Sequence, residues 1–183
     1  MSNEPTTLPF HILLTLRADG PHPDYSDKLM LFGQFVGVWD LDIKYFDESE
    51  KIVYHEPGEW SFSWILDGRA IQDVLTAPNP QDTSKIGPGE RGIGTTLRKY
   101  DPKLDVWRIV WLGAVSGVLV VFTAKPMGNE IWVEGLDDDG LNRWVFTDIS
   151  DYSFHWKGFL SNDGGNSWTL RQDMLAHRRS ANC

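Results

Sequence analysis

The sequence has little cysteine, no long apolar run and too few positive charges to balance its acids. Its single cysteine is Cys183, so no disulfide can form within the chain and a cysteine-based metal site is ruled out. No segment reaches the ~18 apolar residues that a membrane-spanning helix needs. Lys and Arg number 17 against 26 Asp and Glu, which gives a net charge of −9. This charge argues against nucleic acid and anionic membrane surfaces as partners.

The N-terminal residues carry no targeting pattern. Glu4 is acidic, no early Lys or Arg is present, and no small-residue cleavage site follows the short apolar run. We therefore expect a protein of the reducing cytoplasm. No cofactor and no metal site are expected, because no paired histidines occur at ligand spacing. A homodimer is compatible with the sequence.

The chain of 183 residues is long enough for one domain. We divide it into an N-terminal tail or lid (1–22), a barrel domain (23–178) and a C-terminal tail (179–183). Residues 8–16 are apolar and are interpreted as a strand or helix turn packed on the body, with a lid as the alternative. Residues 25–36 have helical spacing of apolar residues, and Ser26 is a candidate N-cap.

From Gly37 onward the apolar residues alternate with period two, which is typical of β-strands with one wet face. The predicted strands are 39–45, 59–66, 69–76, 95–100, 106–112, 117–125, 130–136, 143–149, 152–160 and 168–175. Short turns join most of them, and no helix long enough for a parallel crossover intervenes. The fold class is therefore all-β: one antiparallel up-and-down barrel of about ten strands, closed or nearly so, because closure removes the two exposed edges.

Several short motifs occur in an order that resembles the calycin barrels, and more specifically the bacterial lipocalin-like domains grouped as DUF1579. The similarity covers roughly residues 30–178. The motifs are Phe35-Val36-Gly37-Val38-Trp39-Asp40, Gly58-Glu59-Trp60, Trp64 to Ala70, Gly94 to Pro102 and Asp163 to Trp168. The resemblance implies a barrel with an internal cavity. It names no ligand and brings no catalytic signature.

Nine tryptophans are an unusual number for a chain of this length. The alternation places eight of them, Trp168 included, on inner faces, and leaves the face of Trp132 open. Such a lining suits an apolar, aromatic or polyene-like ligand, although the same rings can simply fill the barrel as core. The predicted ligand-contacting residues are Trp39, Trp60, Phe62, Trp64, Trp107, Trp111, Trp144, Phe146, Trp156 and Gln172.

Four polar residues are the catalytic candidates: Asp148, Arg98, Tyr100 and Asp73. The alternation turns Asp148, Arg98 and Tyr100 inward, whereas the register of strand 69–76 leaves the direction of Asp73 open. A carboxylate buried among aromatic rings has a raised pKa and can move a proton, and Arg98 with Tyr100 can hold an oxyanion. The alternatives are a structural ion pair between Arg98 and Asp148, and a surface position for Asp73.

Three functions follow from these residues. The first is a carrier, sensor or sequestering protein for an apolar or aromatic small molecule. The second is a cofactor-independent isomerase or cyclase that uses the inward Asp, Arg and Tyr, as in some natural-product pathways. The third is a haem-binding barrel resembling nitrobindin, which requires His155 to point inward; the alternation places it outside unless a bulge shifts the register.

Two further motifs indicate local structure and no binding or catalytic site. The glycine-rich run 87–94 precedes a strand rather than a helix, so it lacks the geometry that binds phosphate. The run from Ser161 to Trp168 resembles the Asp-box of sialidases, which stabilises a hairpin turn and has no catalytic role.

Overall fold

The computed structural model describes residues 8–78 and 92–180, and their dominant feature is a closed antiparallel barrel of ten strands. Each strand pairs with its sequence neighbours, and the first also pairs with the last. The strands are β1 (Gly37–Phe46), β2 (Ile52–Ile65), β3 (Ala70–Ala77), β4 (Gly92–Asp101), β5 (Val106–Gly113), β6 (Leu119–Met127), β7 (Glu130–Asp137), β8 (Gly140–Thr147), β9 (Ser153–Ser161) and β10 (Thr169–Arg178). The predicted all-β class and the closed up-and-down barrel are confirmed. Most of the glycine-rich run 87–94 lies outside the described residues.

The alternation of side chains along the strands produces the barrel interior. In β1, Trp39, Leu41 and Ile43 are buried, whereas Asp40 between them is exposed. The pairing of β1 with β10, which closes the barrel, keeps the same alternation, because Ile43 lies opposite Met174 of β10, which is also buried. A one-residue slip would turn every buried ring outward, so the apolar pattern fixes the register.

The two ends of the barrel differ. At one end lie the turns β2–β3, β4–β5, β6–β7 and β8–β9, together with the N-terminal helices; we name it the closed end. The turns β1–β2, β5–β6, β7–β8 and β9–β10 lie at the other end, which we name the open end. The distinction matters because the alternation of side chains says which residues face inward, but not which end of the barrel they occupy.

A short helix fills the closed end. Helix α2 (Ser26–Gly33) follows a 3-10 turn (Pro23–Tyr25), and its Phe32 lies 5.0 Å from the Trp107 ring at a steep angle. The chain then leaves the helix and inserts Phe35 between Phe154 (4.8 Å) and Phe146 (5.1 Å). Full burial of each such side chain stabilises the fold by about 1.5–3 kcal/mol. This packing makes the closed end a solid aromatic core.

The helix predicted over 25–36 is shorter than expected. It ends at Gly33, and Phe35 enters the core from the connection to β1 rather than from the helix. Ser26 is its first helical residue rather than its N-cap; Tyr25 holds the N-cap position without a side-chain hydrogen bond. Arg178 secures the connection, because its Nη1 donates to the carbonyl of Val36 (2.7 Å) and its Nη2 to that of Gln34 (2.6 Å).

The apolar N-terminal segment forms helix α1 (Leu8–Leu16). It is tied to the closed end, because the Leu66 amide donates to Leu16 (2.9 Å) and the Ala18 amide donates to Trp64 (3.0 Å). The chain then passes so close to the β2–β3 turn that a Cβ on Gly68, whose φ is +71°, would lie 2.1 Å from the Gly20 carbonyl oxygen. In this arrangement α1 lies away from the open end, with Ile12, Leu13 and Leu14 exposed.

No helix among residues 8–78 and 92–180 is long and apolar enough to cross a membrane.

Candidate functional site

A cavity of about 610 Å³ occupies the open half of the barrel. Its size lies within the range of about 300–1,000 Å³ that is typical of small-molecule sites. Strands β1 to β5 and β8 to β10 contribute side chains, as does the β5–β6 turn. The lining residues are Tyr45, Tyr54, Glu56, Trp60, Leu75, Ala77, Gly92, Ile93, Gly94, Thr96, Trp111, Gly113, Val115, Ser116, Trp144, Trp156, Gln172 and Met174.

Four tryptophans form the walls and part of the floor. The Trp144 ring lies 6.0 Å from Trp111 at 88° and 5.5 Å from Trp156 at 56°. Trp111 lies directly over Gly94, where an added Cβ would come within 2.2 Å of its Cη2 atom. The missing side chain at Gly94 therefore gives this ring its place against the wall. Flat apolar surfaces set at steep angles suit a ligand that is itself flat and apolar.

A buried ion pair lies beneath the floor. Asp73 and Arg98 contact each other through Oδ2 and Nη1, and their side chains are 0% and 1% exposed. The floor residues hold the carboxylate from above, because Trp60 Nε1 donates to Asp73 Oδ1 (2.8 Å) and Thr96 Oγ1 donates to the same atom (3.1 Å).

The guanidinium of Arg98 lies among aromatic rings and does not line the cavity. Its central carbon lies 5.1 Å from the Phe32 ring and 5.3 Å from the Phe62 ring, so aromatic faces surround the charge. Burial lowers the pKa of Arg98 to about 9, which leaves the group protonated at neutral pH. With Asp73 as its partner, the guanidinium is a structural charge rather than a free anion-binding group.

Three side chains at the mouth form a second polar group. Tyr45 of β1 lies opposite Tyr54 of β2, and Glu56 follows on the same face. The Tyr45 hydroxyl donates to Glu56 Oε1 (3.2 Å), and the Tyr54 hydroxyl donates to Oε2 (3.3 Å). Burial, and secondarily Glu56, raises the pKa of Tyr45, while Glu56 is the main cause of the raised pKa of Tyr54. Both phenols therefore remain protonated donors.

The predicted ligand-contacting residues divide between the two halves of the barrel. Trp60, Trp111, Trp144, Trp156 and Gln172 line the cavity. The other five face inward but belong to the aromatic core of the closed end, around α2. They are Trp39, Phe62, Trp64, Trp107 and Phe146.

The structure does not bring the four predicted catalytic residues together. Asp73 faces inward and pairs with Arg98, which resolves the direction of strand 69–76. The alternative of an ion pair between Arg98 and Asp148 is therefore not what the structure shows. Tyr100 also points inward, but at the closed end, where its hydroxyl donates to Asp105 Oδ1 (2.6 Å). That hydrogen bond is the main cause of its raised pKa. Neither Tyr100 nor Arg98 lines the cavity, so they do not form an oxyanion grip there.

The prediction that Asp148 faces the interior is wrong. Strand β8 ends at Thr147, and Asp148 adopts a left-handed backbone conformation with φ +51° that turns it away from the barrel. Its side chain is 74% exposed and lies 3.3 Å from His155 Nδ1. His155 itself lies on the outer face, as the alternation predicts, so the inward histidine required by the haem hypothesis is not present.

Trp168, which the alternation predicts inside, lies outside. It precedes β10, and a register shift between Leu170 and Gln172 separates it from the inward residues of that strand. Its ring and that of Trp132 both contact Arg143 on the outer face, at 3.9 and 4.3 Å from the guanidinium carbon. Seven tryptophans, rather than eight, therefore face the interior.

Sequence reasoning misses Tyr54 and Glu56 because the predicted second strand begins at residue 59, whereas β2 begins at Ile52. The signal that points to them is the alternation itself: counting back by two from Trp60 reaches Gly58, then Glu56 and then Tyr54. Among residues 8–78 and 92–180, no group of three or more His, Cys, Asp or Glu side chains is arranged to hold a metal ion.

The barrel, with a helix at one end and a cavity at the other, is a lipocalin-like fold of the calycin type. Solved structures that are similar to it include two of different origin. The S-type phycobiliprotein lyase CPES from Guillardia theta has a TM-score of 0.55 and 9% identity over 84% of this chain and 93% of that one. Rv2717c from M. tuberculosis has a TM-score of 0.58 and 12% identity over 87% of this chain and 99% of that one. At these identities the likeness concerns the fold alone. No family model matches the chain, and no curated protein matches its sequence.

Proposed function

We propose that this protein binds a flat apolar small molecule, aromatic or polyene in character, in the cavity of the open half, as a carrier, sensor or sequestering protein. The observation that carries the proposal is the cavity of about 610 Å³ walled by Trp60, Trp111, Trp144 and Trp156. A cavity with many apolar surfaces and few polar groups is the usual form of a small-molecule site.

The positions of the four predicted catalytic residues favour binding over the predicted proton transfer, because none of them lines the cavity. The cavity floor presents Thr96 and the indole of Trp60, and both already donate to Asp73. Asp73 in turn is paired with Arg98. A proton-transfer step needs a group within hydrogen-bond reach of the ligand, and the buried carboxylate lies behind the floor residues that bond to it.

The fold comparison guides the choice of ligands to test. One protein with this fold is a phycobiliprotein lyase. A conjugated pigment such as a bilin therefore belongs in the first ligand panel, beside a polyene such as retinol and a neutral polycyclic arene such as 1-pyrenemethanol. The motif resemblance to the DUF1579 domains agrees with an internal cavity and adds no ligand.

Tryptophan fluorescence provides the test, because four indoles surround the cavity. We expect saturable energy transfer to 1-pyrenemethanol with one site per chain. Trp144→Ala removes a central wall and should weaken binding about tenfold or more, as for a buried aromatic anchor. Trp132→Ala is the matched control, since its ring lies on the outer face against Arg143. The proposal would be refuted if no ligand of the panel gave saturable energy transfer. It would also be refuted if Trp144→Ala and Trp132→Ala lost the same amount of affinity.

A further inference from the structure

The cavity is asymmetric in charge. Of its described lining residues, Glu56 is the one acidic side chain, and Lys, Arg and His do not occur among them. Nearby Arg98 is paired with Asp73 below the floor and surrounded by Phe32 and Phe62. The site thus offers a ligand one carboxylate and no described cation.

The carboxylate of Glu56 stands in a defined place rather than in open solvent. It accepts one hydrogen bond from Tyr45 and one from Tyr54, whose rings lie 5.8 Å apart at 34°. A carboxylate can accept about four hydrogen bonds, so about two positions remain for donors from a ligand. The two phenol rings beside it present aromatic faces, which attract cations.

We propose that the natural ligand carries a cationic nitrogen, an amine or amidine, on its flat apolar body, and that Glu56 with Tyr45 and Tyr54 binds that cation at the mouth while the tryptophans hold the body. This inference rests on the proposed function and specifies its ligand class. It also argues against ligands that carry a carboxylate. Such ligands would need a free cation, and Arg98 is paired with Asp73. The net charge of −9 acts in the same direction, since it attracts cations toward the protein.

Three pyrene ligands that differ only in their polar end provide the test: 1-pyrenemethylamine, 1-pyrenemethanol and 1-pyrenecarboxylate. Their affinities are measured by energy transfer from tryptophan and by calorimetry at one pH near 7. We expect the amine to bind about tenfold more tightly than the alcohol, as for one partly exposed charge-assisted hydrogen bond, and the carboxylate to bind most weakly.

The Glu56→Gln variant isolates the charge, because glutamine keeps the size and one acceptor oxygen. It should remove the preference for the amine over the alcohol, because the neutral amide offers the ammonium group no opposite charge. Glu48→Gln is the matched control: it removes an equal charge at the open end, from an exposed side chain that does not line the cavity. Circular dichroism confirms that both variants are folded.

The outcomes separate the two proposals. If the alcohol binds but the amine has no advantage, or if Glu48→Gln reduces that advantage as much as Glu56→Gln does, the cationic ligand class is wrong and the apolar binding site stands. If none of the three pyrenes binds, and retinol and bilin also fail, the proposed function falls and this inference with it. A preference for the amine that is lost in Glu56→Gln and kept in Glu48→Gln supports both the apolar binding site and the cationic ligand class.

Discussion

Asp73 and Arg98 neutralise each other in the middle of the barrel, where neither the carboxylate nor the guanidinium reaches water. The pair lies between two regions of different character: the aromatic core around α2 on one side and the cavity on the other. It is connected to both, because Arg98 faces Phe32 while Asp73 accepts a hydrogen bond from Trp60.

Breaking this pair should destabilise the protein strongly. Arg98→Met leaves the Asp73 carboxylate buried without its partner, and Asp73→Asn leaves the Arg98 guanidinium buried without its partner. Each substitution should lower the free energy of unfolding by about 3–5 kcal/mol. The double variant should cost clearly less than the sum, because both charges are then absent. Urea unfolding of the four proteins measures this, and strictly additive losses would contradict the coupling.

The closed end should contribute to stability without contributing to ligand binding. Phe35→Ala removes a ring buried against Phe146 and Phe154 and should cost about 3–5 kcal/mol. Met30→Ala, on the exposed side of α2, should change stability by no more than about 0.5 kcal/mol. Urea unfolding gives both values. Pyrenemethanol affinity should be the same in both folded variants, and a selective loss in Phe35→Ala would place the closed end in the binding site.

Gly94 should control the shape of the cavity. In Gly94→Ala the new methyl group would come within 2.2 Å of Trp111 Cη2, so the ring must move from the wall. We expect a stability loss of about 1–3 kcal/mol from overpacking and a weaker affinity for pyrenemethanol. Gly20→Ala is the control, since nothing lies within 4 Å of the added carbon. Identical stability and affinity in the two variants would mean that the position of the Trp111 ring does not depend on the missing side chain at Gly94.

The β9–β10 turn should show an acid-sensitive contribution to stability. Hydrogen bonds from the Ser167 hydroxyl and amide, and from Ser161, lower the pKa of Asp163 from 3.8 to about 2. The folded protein therefore holds this carboxylate deprotonated more strongly than the unfolded chain does. Its contribution is complete above pH 3.8 and is lost as the pH falls toward about 2.

Ser167→Ala tests this assignment directly, because Ser167 is the largest cause of the shift. The titration midpoint of the Asp163 carboxyl, followed by NMR, should rise toward 3.8 in the variant. An unchanged midpoint would assign the low pKa to another cause. The hydrogen bonds agree with the structural interpretation of the 161–168 run as a turn.

The alternation of apolar residues is sufficient to predict the class, the ten strands and their order, because a sustained side-chain period of two is characteristic of β-strands with one buried face. It also places Arg98 and Tyr100 on inner faces. It cannot give their depth along the barrel, and depth decides whether an inward side chain meets the cavity, the ion pair or the core of α2. Tyr100 is the clearest case, since it is inward but at the end opposite the cavity.

The errors arise where the backbone departs from a regular strand. Asp148 follows the end of β8 in a left-handed conformation, and Trp168 lies on the far side of an irregularity in β10. Glu56 escapes prediction because the strand predicted there begins at residue 59, after Pro57, whereas β2 begins at Ile52. In the structure Pro57 lies within β2, opposite Asp42 of β1. Such local departures depend on tertiary packing that one sequence does not display.

The seam between β1 and β10 has a consequence for folding. Trp39 pairs with Arg178, so the barrel joins residues near the two ends of the described chain. A ribosome releases β1 to β9 before β10, and until β10 docks, β1 and β9 each present a row of unpaired amides and carbonyls. We therefore expect closure to be a late, non-local step, because such contacts form slowly. During that interval we expect the incompletely closed barrel, whose tryptophans are accessible to other chains, to be the species most prone to aggregate.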